Sequence, residues 1–203
     1  RDVFSKDDDD IGRCNLVEHK IDVDGPPIRQ PLRRCTHEER QVIRHEVERM
    51  ERMGIIQPSN SNWASAVCLV RKRDGKYRFA IDYRALNKRV KDVGHYDPFP
   101  LPRIDDTLEA LGGAKYFSTF DLQSSYWNVP VEKASKAFTA FITPWGLYEW
   151  NYMPFGLNNA PATFQRLMQF VFHGMLFDEV LIYLDDIICF STTFEEHADR
   201  LRR

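Results

Sequence analysis

Two adjacent carboxylates, Asp185 and Asp186, interrupt an otherwise apolar run that extends from Val180 to Phe190. The β-branched and aromatic residues on both sides predict two short strands joined at the acidic pair. Buried carboxylates without a partner are costly, and no Lys or Arg lies between Glu179 and Ser191. A divalent cation held at the tip of this hairpin would supply the missing charge. The alternative is a polar hairpin turn, because Asp is common in turns.

A third carboxylate, Asp121, follows the run 116–120, which also predicts a strand. If this strand neighbours the acidic hairpin, three carboxylates converge and could hold two divalent metals in an oxygen-only environment. Such ions can activate an attacking hydroxyl and stabilise a leaving pyrophosphate. The six histidines are dispersed and no His or Cys clusters with these acids, so zinc is disfavoured. The sequence also lacks an evident Ser-His-Asp or Cys-His arrangement.

A basic segment, 71–91, could meet phosphate groups. It carries nine basic residues against two acidic ones in a chain whose net charge is −2. Three aromatic residues, Tyr77, Phe79 and Tyr83, are interleaved with these charges. No GxGxxG or Walker-type glycine-rich loop is present, so side chains would have to bind the phosphates. The pattern favours a polyanion site and phosphoryl transfer on a nucleotide, the alternative being a solvated charged hairpin.

Composition sets broad limits on the class of protein. The 203 residues, 43% of them hydrophobic and 29% charged, suffice for one large or two small domains with a core. No apolar run has membrane-spanning length, and no secretory signal pattern is present. The four cysteines are scattered without a CxxC pair, which favours a reduced, intracellular setting over a zinc or disulfide framework.

The elements that must position these residues follow from periodicity and capping signals. Thr36 and Glu39 have capping-box spacing, and apolar residues follow at helical spacing as far as Gly54. Residues 1–35, acidic and then proline-rich, are typical of an extended arm. Besides the acidic hairpin, the patterns predict helices at 37–53, 103–111, 160–176 and from about 193, and strands at 66–70, 77–82, 116–120, 137–142 and 147–152. This mixture predicts an α+β fold with an antiparallel sheet and helices on one face.

Four segments, in the expected order, resemble motifs of reverse transcriptases. Residues 183–186, Tyr-Leu-Asp-Asp, resemble the YxDD box, and 117–122 resemble the preceding aspartate motif. Residues 72–87 resemble the fingers motif, and 153–165 resemble the segment that supports nucleotide and template. The run Pro-Phe-Gly-Leu at 154–157 is closest to gypsy-type LTR retrotransposon polyproteins. Four ordered motifs covering roughly residues 15–203 are far more specific than one.

The resemblance implies the fingers and palm of a right-hand polymerase, with an antiparallel palm sheet packed on helices. It implies an N-terminal arm over 1–35, mainly fingers over 36–115 and mainly palm over 116–203, with fingers and palm interleaved. The chain is expected to stop before the thumb. The implied activity is that of an RNA-directed DNA polymerase, in which a primer 3′-hydroxyl attacks the α-phosphate of a dNTP.

Roles transfer residue by residue onto matching positions. Catalytic and metal-binding roles, for two Mg²⁺ ions with Mn²⁺ as a substitute, fall on Asp121, Asp185, Asp186 and the carbonyl of Leu122. Nucleotide-binding roles fall on Lys72, Arg78, Leu122, Gln123, Tyr126 and Phe155. Primer or template roles fall on Tyr183, Asp82, Arg84, Asn87 and Gly156, although Asp82, Arg84 and Asn87 could be purely structural.

Tyr126, five residues after Asp121, matches the aromatic residue that excludes ribose. A pocket rejects an added hydroxyl weakly by affinity, so a steric clash is needed. The alternative is an ordinary core aromatic. Phe155 occupies the position that is Gln in many retroviral enzymes, which predicts an apolar contact under the sugar.

Ser125 and Asn128 depart from the usual Gly and Gln, and Asn62 and Ala66 replace two prolines; none of these changes removes a catalytic group.

The implied partners are an RNA or DNA template with its primer, dNTPs, and the thumb, connection and RNase H regions of a parent polyprotein, with no membrane. The expected location is intracellular, in cytoplasmic virus-like particles with access to the nucleus. The alternative function is a truncated, catalytically silent retrotransposon remnant that only binds nucleic acid or a partner. Steep salt dependence of binding without synthesis would favour that alternative.

Overall fold

A computed structural model describes residues 5–7, 9–91, 104–122, 124–183 and 186–203. Its helices are α1 (His37–Arg52), α2 (Arg84–Asn87), α3 (Ile104–Ala110), α4 (Ala160–Val171) and α5 (Phe194–Arg200). Its strands are β1 (Ile56–Pro58), β2 (Ser65–Arg71), β3 (Tyr77–Asp82), β4 (Tyr116–Asp121), β5 (Phe141–Thr143), β6 (Gly146–Trp150), β7 (Val180–Tyr183) and β8 (Asp186–Ser191). Two 3₁₀ helices span Ser125–Asn128 and Lys136–Thr139. Within the described ranges, none of the helices combines the length and apolar character needed to cross a bilayer.

Helix α1 forms where the capping signals predict it. The Thr36 hydroxyl accepts the Glu39 backbone N–H at 3.2 Å, and the Glu39 carboxylate accepts the Thr36 N–H at 2.8 Å. This reciprocal cap satisfies two backbone donors at the start of the helix. The apolar face, with Ile43 and Val47, is buried in the core. Gly54 follows the helix with a φ of +69°, a conformation that glycine adopts without steric cost.

The larger sheet has five strands in the order β1-β6-β5-β2-β3. Strands β2 and β3 form the predicted basic hairpin, in which Arg71 lies opposite Tyr77. The β2–β5 pair is parallel, and it joins the hairpin to β5 and β6. The sequence predicted pairing of 137–142 with 147–152, but the observed strands are shorter because 136–139 form a 3₁₀ helix.

The smaller sheet has the order β4-β8-β7, with both pairs antiparallel. This is the predicted antiparallel sheet that carries the acidic hairpin, and its buried strand residues pack into the same core as α4. The expectation of one sheet was incomplete, because the described residues form two. The α4 prediction of 160–176 was too long. The helix ends at Val171, and the chain turns through Gly174, whose φ is +81°.

The described part of the N-terminal arm is extended, as predicted, and it contacts residues of both the 36–115 and the 116–203 segments. Single β-bridges join His19 to Val131 and Val23 to Val90. The buried His19 ring places Nδ1 2.9 Å from the Thr163 hydroxyl on α4. Burial lowers the pKa of His19 to about 4, so the imidazole is neutral at physiological pH. The arm is therefore part of the packed structure.

Candidate active site

Two of the three carboxylates predicted to bind metal lie at paired strand ends. In the β4–β8 ladder Asp121 is directly opposite Asp186, and Asp186 is in turn opposite Tyr183 on β7. Directly opposed residues of an antiparallel pair have Cβ atoms roughly 4.5–5.5 Å apart. Both carboxylates belong to exposed residues. The predicted convergence is confirmed for this pair, whereas Asp185 lies outside the described residues.

The donor set of this pair suits a hard divalent cation. Carboxylate oxygens are the ligands that Mg²⁺ prefers. Within the described part of the chain, no basic side chain forms an ion pair with either carboxylate. The same residues contain no group of three His, Cys, Asp or Glu side chains that could hold a metal. A complete site therefore needs Asp185, a water or a substrate oxygen besides Asp121 and Asp186.

A cavity of about 520 Å³ lies between the basic hairpin and the residues that follow Asp121. Lys72 and Arg78 line one side, and Phe155 and Ser124 line another. Three residues predicted to bind nucleotide, Lys72, Arg78 and Phe155, therefore share one cavity. Two cationic side chains beside an aromatic ring form a surface suited to a triphosphate attached to a sugar. A second cavity of about 490 Å³, also lined by Lys72 and Arg78, lies along the hairpin.

Helix α1 contributes two cavity residues that the sequence did not indicate, Glu46 and Arg49. Arg49 donates to Asp9 of the N-terminal arm at 2.7 Å and to Glu46 at 3.3 Å. The i,i+3 spacing of Glu46 and Arg49 was a visible signal for their ion pair. Nothing local indicated that this pair would face the basic hairpin.

Tyr126 stacks on Phe155, with ring centroids 4.9 Å apart and an interplanar angle of 24°. It lies on the 3₁₀ helix that begins after Ser124, whose φ of +45° turns the chain sharply after β4. A second ring, Phe164 of α4, lies 5.5 Å from Tyr126 between centroids. The structure thus brings together the two residues predicted to contact the sugar. The half-buried Tyr126 also packs against the core, so its two predicted roles are compatible.

Asp82 forms an ion triad with Arg84 and with Arg33 of the N-terminal arm. Its carboxylate accepts the Arg84 guanidinium in bidentate fashion at 2.8 and 2.7 Å. Hydrogen bonding from Arg84, with the charge of Arg33 as a smaller contribution, lowers the pKa of Asp82 to about 2. These contacts give Asp82 and Arg84 a structural role in joining the arm to β3. Their predicted template role stays a prediction.

We expect Asp82→Asn to lower the free energy of unfolding by roughly 1 kcal/mol at pH 7, a value reduced for the solvent exposure of both arginines. Because the folded-state pKa lies below the ordinary value of 3.8, the stabilisation is present above about pH 4. It is lost as the pH falls toward 2. Urea titrations across pH 2–7 measure it. Asp74→Asn on the same hairpin is the matched control, because the Asp74 carboxylate accepts the Lys76 backbone N–H at 3.0 Å and forms no ion pair within the described residues. If the free energy of unfolding depended on pH in the same way for both variants, the stabilising role of the triad would be contradicted.

Asn87 and Gly156, both predicted near the template, are hydrogen-bonded to each other. The Asn87 amide donates to the Gly156 carbonyl at 2.8 Å. Leu122 is half-buried and packs against the core. Gln123 lies outside the described residues, and only the backbone pairing of Tyr183 with Asp186 is described. The roles of these residues stay predictions.

Comparison with known proteins gives the chain a family. The family model described as "Reverse transcriptase (RNA-dependent DNA polymerase)" matches residues 70–203. The chain is 35% identical over 203 residues to the retrovirus-related Pol polyprotein from transposon 412 of Drosophila melanogaster, covering 97% of the chain and 16% of that relative. It is 34% identical over 201 residues to Polyprotein P3 of Commelina yellow mottle virus, covering 92% of the chain and 10% of that relative. The chain thus spans less than a fifth of the length of these relatives.

Solved structures give the same result for the fold. The prototype foamy virus protease-reverse transcriptase superposes with a TM-score of 0.82 at 26% identity, covering 96% of this chain and 26% of that one. The foamy viral protease-reverse transcriptase in complex with RNA/DNA hybrid superposes with a TM-score of 0.83 at 26% identity, covering 95% and 25%. These matches confirm the predicted fold, and the similarity to a transposon Pol polyprotein fits the retrotransposon-like motif wording. The chain belongs to the reverse transcriptase (RNA-dependent DNA polymerase) family.

Proposed function

We propose that this chain forms the fingers and palm of an RNA-directed DNA polymerase that adds dNTPs to a primer 3′-hydroxyl. One observation carries the proposal: Asp121 and Asp186 lie directly opposite each other at the ends of β4 and β8. The cavity lined by Lys72 and Arg78 reaches Ser124, three residues beyond Asp121. The cations proposed to bind the triphosphate therefore share a cavity with a residue that closely follows one of these carboxylates in the chain.

The proposed reaction is an in-line displacement at the α-phosphate. A bond forms between the primer 3′-oxygen and the α-phosphorus, and the bond from that phosphorus to the bridging oxygen breaks. Pyrophosphate leaves, and the hydroxyl proton passes to solvent. Two bound Mg²⁺ ions would favour ionisation of the hydroxyl and offset the charge of the leaving pyrophosphate. In this site Asp121, Asp185 and Asp186, with the Leu122 carbonyl, would hold the ions.

The cavity residues have separate tasks in this proposal. Lys72 and Arg78 bind the triphosphate oxygens, which concentrates the nucleotide beside the carboxylates. Phe155 lies under the sugar and supports Tyr126, whose ring excludes a 2′-hydroxyl. Arg49 is neutralised by Asp9 and Glu46, so its contribution to the charge of the cavity is smaller.

We also propose a division into an arm over 1–35, mainly fingers over 36–115 and mainly palm over 116–203. The order of the larger sheet supports interleaving, because β5 and β6 come from the second segment yet pair with β1 and β2 from the first. The proposed partner is a primed RNA or DNA template. A foamy viral relative of known structure is in complex with RNA/DNA hybrid, and this supports the proposal.

Primer extension on poly(rA)·oligo(dT) with dTTP and Mg²⁺ tests the function. We expect template-dependent extension that stops when the divalent cation is chelated and resumes when Mg²⁺ is added back. Titration with a fluorescent dTTP derivative in Mg²⁺ is the accompanying binding measurement. A folded chain that neither extends the primer nor binds dTTP, but binds nucleic acid with steep salt dependence, would overturn the proposal and favour the silent remnant.

A further inference from the structure

The loop that carries Phe155 is hydrogen-bonded to one residue of the basic segment, Asn87. Asn87, the last residue of α2, donates from Nδ2 to the Gly156 carbonyl at 2.8 Å. Its Oδ1 accepts the Asn158 backbone N–H at 3.1 Å. Its backbone carbonyl accepts the Asn158 side-chain amide at 3.4 Å. Asn87 thus binds the chain on both sides of Leu157, since its amide side chain offers both a donor and an acceptor.

The backbone of this loop depends on such support. Gly156 has a φ of +94°, in the left-handed region that residues with a side chain rarely adopt. A methyl group at this position would lie 3.6 Å from the Ile81 carbonyl oxygen and 3.7 Å from the Tyr83 ring. The loop therefore passes close to the end of β3, without being part of a helix or strand. Three hydrogen bonds join Asn87 of α2 to Gly156 and Asn158 of the loop, and the buried Leu157 between them packs in the core.

Phe155 precedes Gly156 directly, so the position of its ring follows from that of the loop. The ring is 48% exposed, which means that burial alone does not hold it in place. It nevertheless stacks on Tyr126 at 4.9 Å between centroids and lies 6.5 Å from Trp127. A hydrogen bond to the next residue's carbonyl is therefore well placed to keep this ring against Tyr126.

We propose that Asn87 is a positioning residue that holds Phe155 against Tyr126 and thereby sets how strongly the site excludes ribonucleotides. This inference rests on the proposed polymerase function. If the Phe155 ring could move away, the Tyr126 ring would lose the support that keeps it in the path of a 2′-hydroxyl. A pocket without such a steric clash rejects an extra hydroxyl only weakly through affinity. Asn87 follows β3, the strand that supplies Arg78 to the cavity. The segment that binds the triphosphate would thus also fix the surface beneath the sugar.

The kinetic test compares Asn87→Ala and Asn87→Asp with Asn62→Ala as the matched control. Asn62 is an exposed Asn whose side-chain oxygen accepts from Arg29, 33 positions away in sequence, at 3.1 Å. For Asn87→Ala we expect the ratio of kcat/KM for dTTP to that for rUTP to fall about 10-fold, mainly through a lower KM for rUTP. Asn87→Asp keeps the acceptor for Asn158 but loses the donor to Gly156. Its ratio of kcat/KM for dTTP to that for rUTP should therefore lie between those of wild type and Asn87→Ala. The control should keep the wild-type ratio.

Two further measurements separate positioning from other roles. The NMR chemical shifts of the Tyr126 ring protons report the ring current of Phe155. We expect this ring-current shift to be lost in Asn87→Ala and kept in Asn62→Ala. The Kd for primer–template should stay within about 3-fold of wild type, since no phosphate-binding residue has changed.

Unchanged Tyr126 shifts in Asn87→Ala, or weaker primer–template binding with an unchanged dTTP to rUTP ratio, would overturn the inference. A wild-type chain that fails to extend primers would refute the polymerase function separately. The NMR comparison would still decide whether Asn87 holds Phe155 in place.

Discussion

Asp186→Asn should abolish primer extension, with a loss of about 10³-fold or more in kcat/KM for dTTP. The substitution keeps the size and shape of the side chain but removes the charge that binds a divalent cation. Asp121→Asn should have the same effect, because the two residues face each other across the β4–β8 ladder. The double variant should be scarcely worse than either single one, since residues that act as a unit lose their function together.

The free energy of unfolding separates this effect from misfolding. Like charges directly opposite each other in a sheet are destabilising. Without Mg²⁺, Asp186→Asn should therefore unfold at the same or a slightly higher urea concentration than wild type. The activity and the stability would then change in opposite directions, which a damaged fold cannot produce.

Asp199→Asn is the matched control. This exposed carboxylate on α5 accepts from Arg202 at 2.6 Å and belongs to neither the cavity nor the acidic hairpin. We expect Asp199→Asn to extend primers as wild type does. The sequence resemblance predicts that Asp185→Asn is as inactive as Asp186→Asn. Substantial template-dependent synthesis by Asp121→Asn or Asp186→Asn would refute the assignment of the metal ligands.

The local parts of the fold could be predicted because their signals are local. The reciprocal Thr36–Glu39 cap fixes where α1 begins, and turn residues place the hairpin between β2 and β3. The acidic hairpin was predicted from apolar runs whose strands pair as expected. Each of these predictions concerns residues within a few positions of one another.

The contacts that complete the site depend on chain segments far apart in sequence. Arg33 and Asp82 are separated by 49 positions, and Asn87 and Gly156 by 69. Neither pair leaves a periodic or motif signal, because the two residues of each pair belong to segments far apart in the chain. The parallel β2–β5 pair is of the same kind. Sequence reasoning named the candidate site residues, whereas the contacts that hold these residues in place required the structure.

Tyr126→Ala should admit ribonucleotides, lowering the ratio of kcat/KM for dTTP to that for rUTP by about 10²-fold. The reason is steric, since removal of the ring leaves space for a 2′-hydroxyl above Phe155, which lies 4.9 Å from Tyr126 between centroids. The gain should appear in rUTP incorporation, while dTTP incorporation changes much less. Steady-state extension on poly(rA)·oligo(dT) with each nucleotide measures both values.

Tyr126→Phe is the matched control, because it keeps the ring and removes only the hydroxyl. If the ring excludes ribose, Tyr126→Phe should discriminate as wild type does. Tyr126→Ala also removes contacts with Phe164, whose centroid lies 5.5 Å away, so we expect it to lose roughly 2–3 kcal/mol of stability. That loss lowers the folded fraction equally for both nucleotides and cancels in the ratio. A Tyr126→Ala variant that is less stable but still rejects rUTP would therefore show that Tyr126 is a core aromatic only, and that another residue excludes ribose.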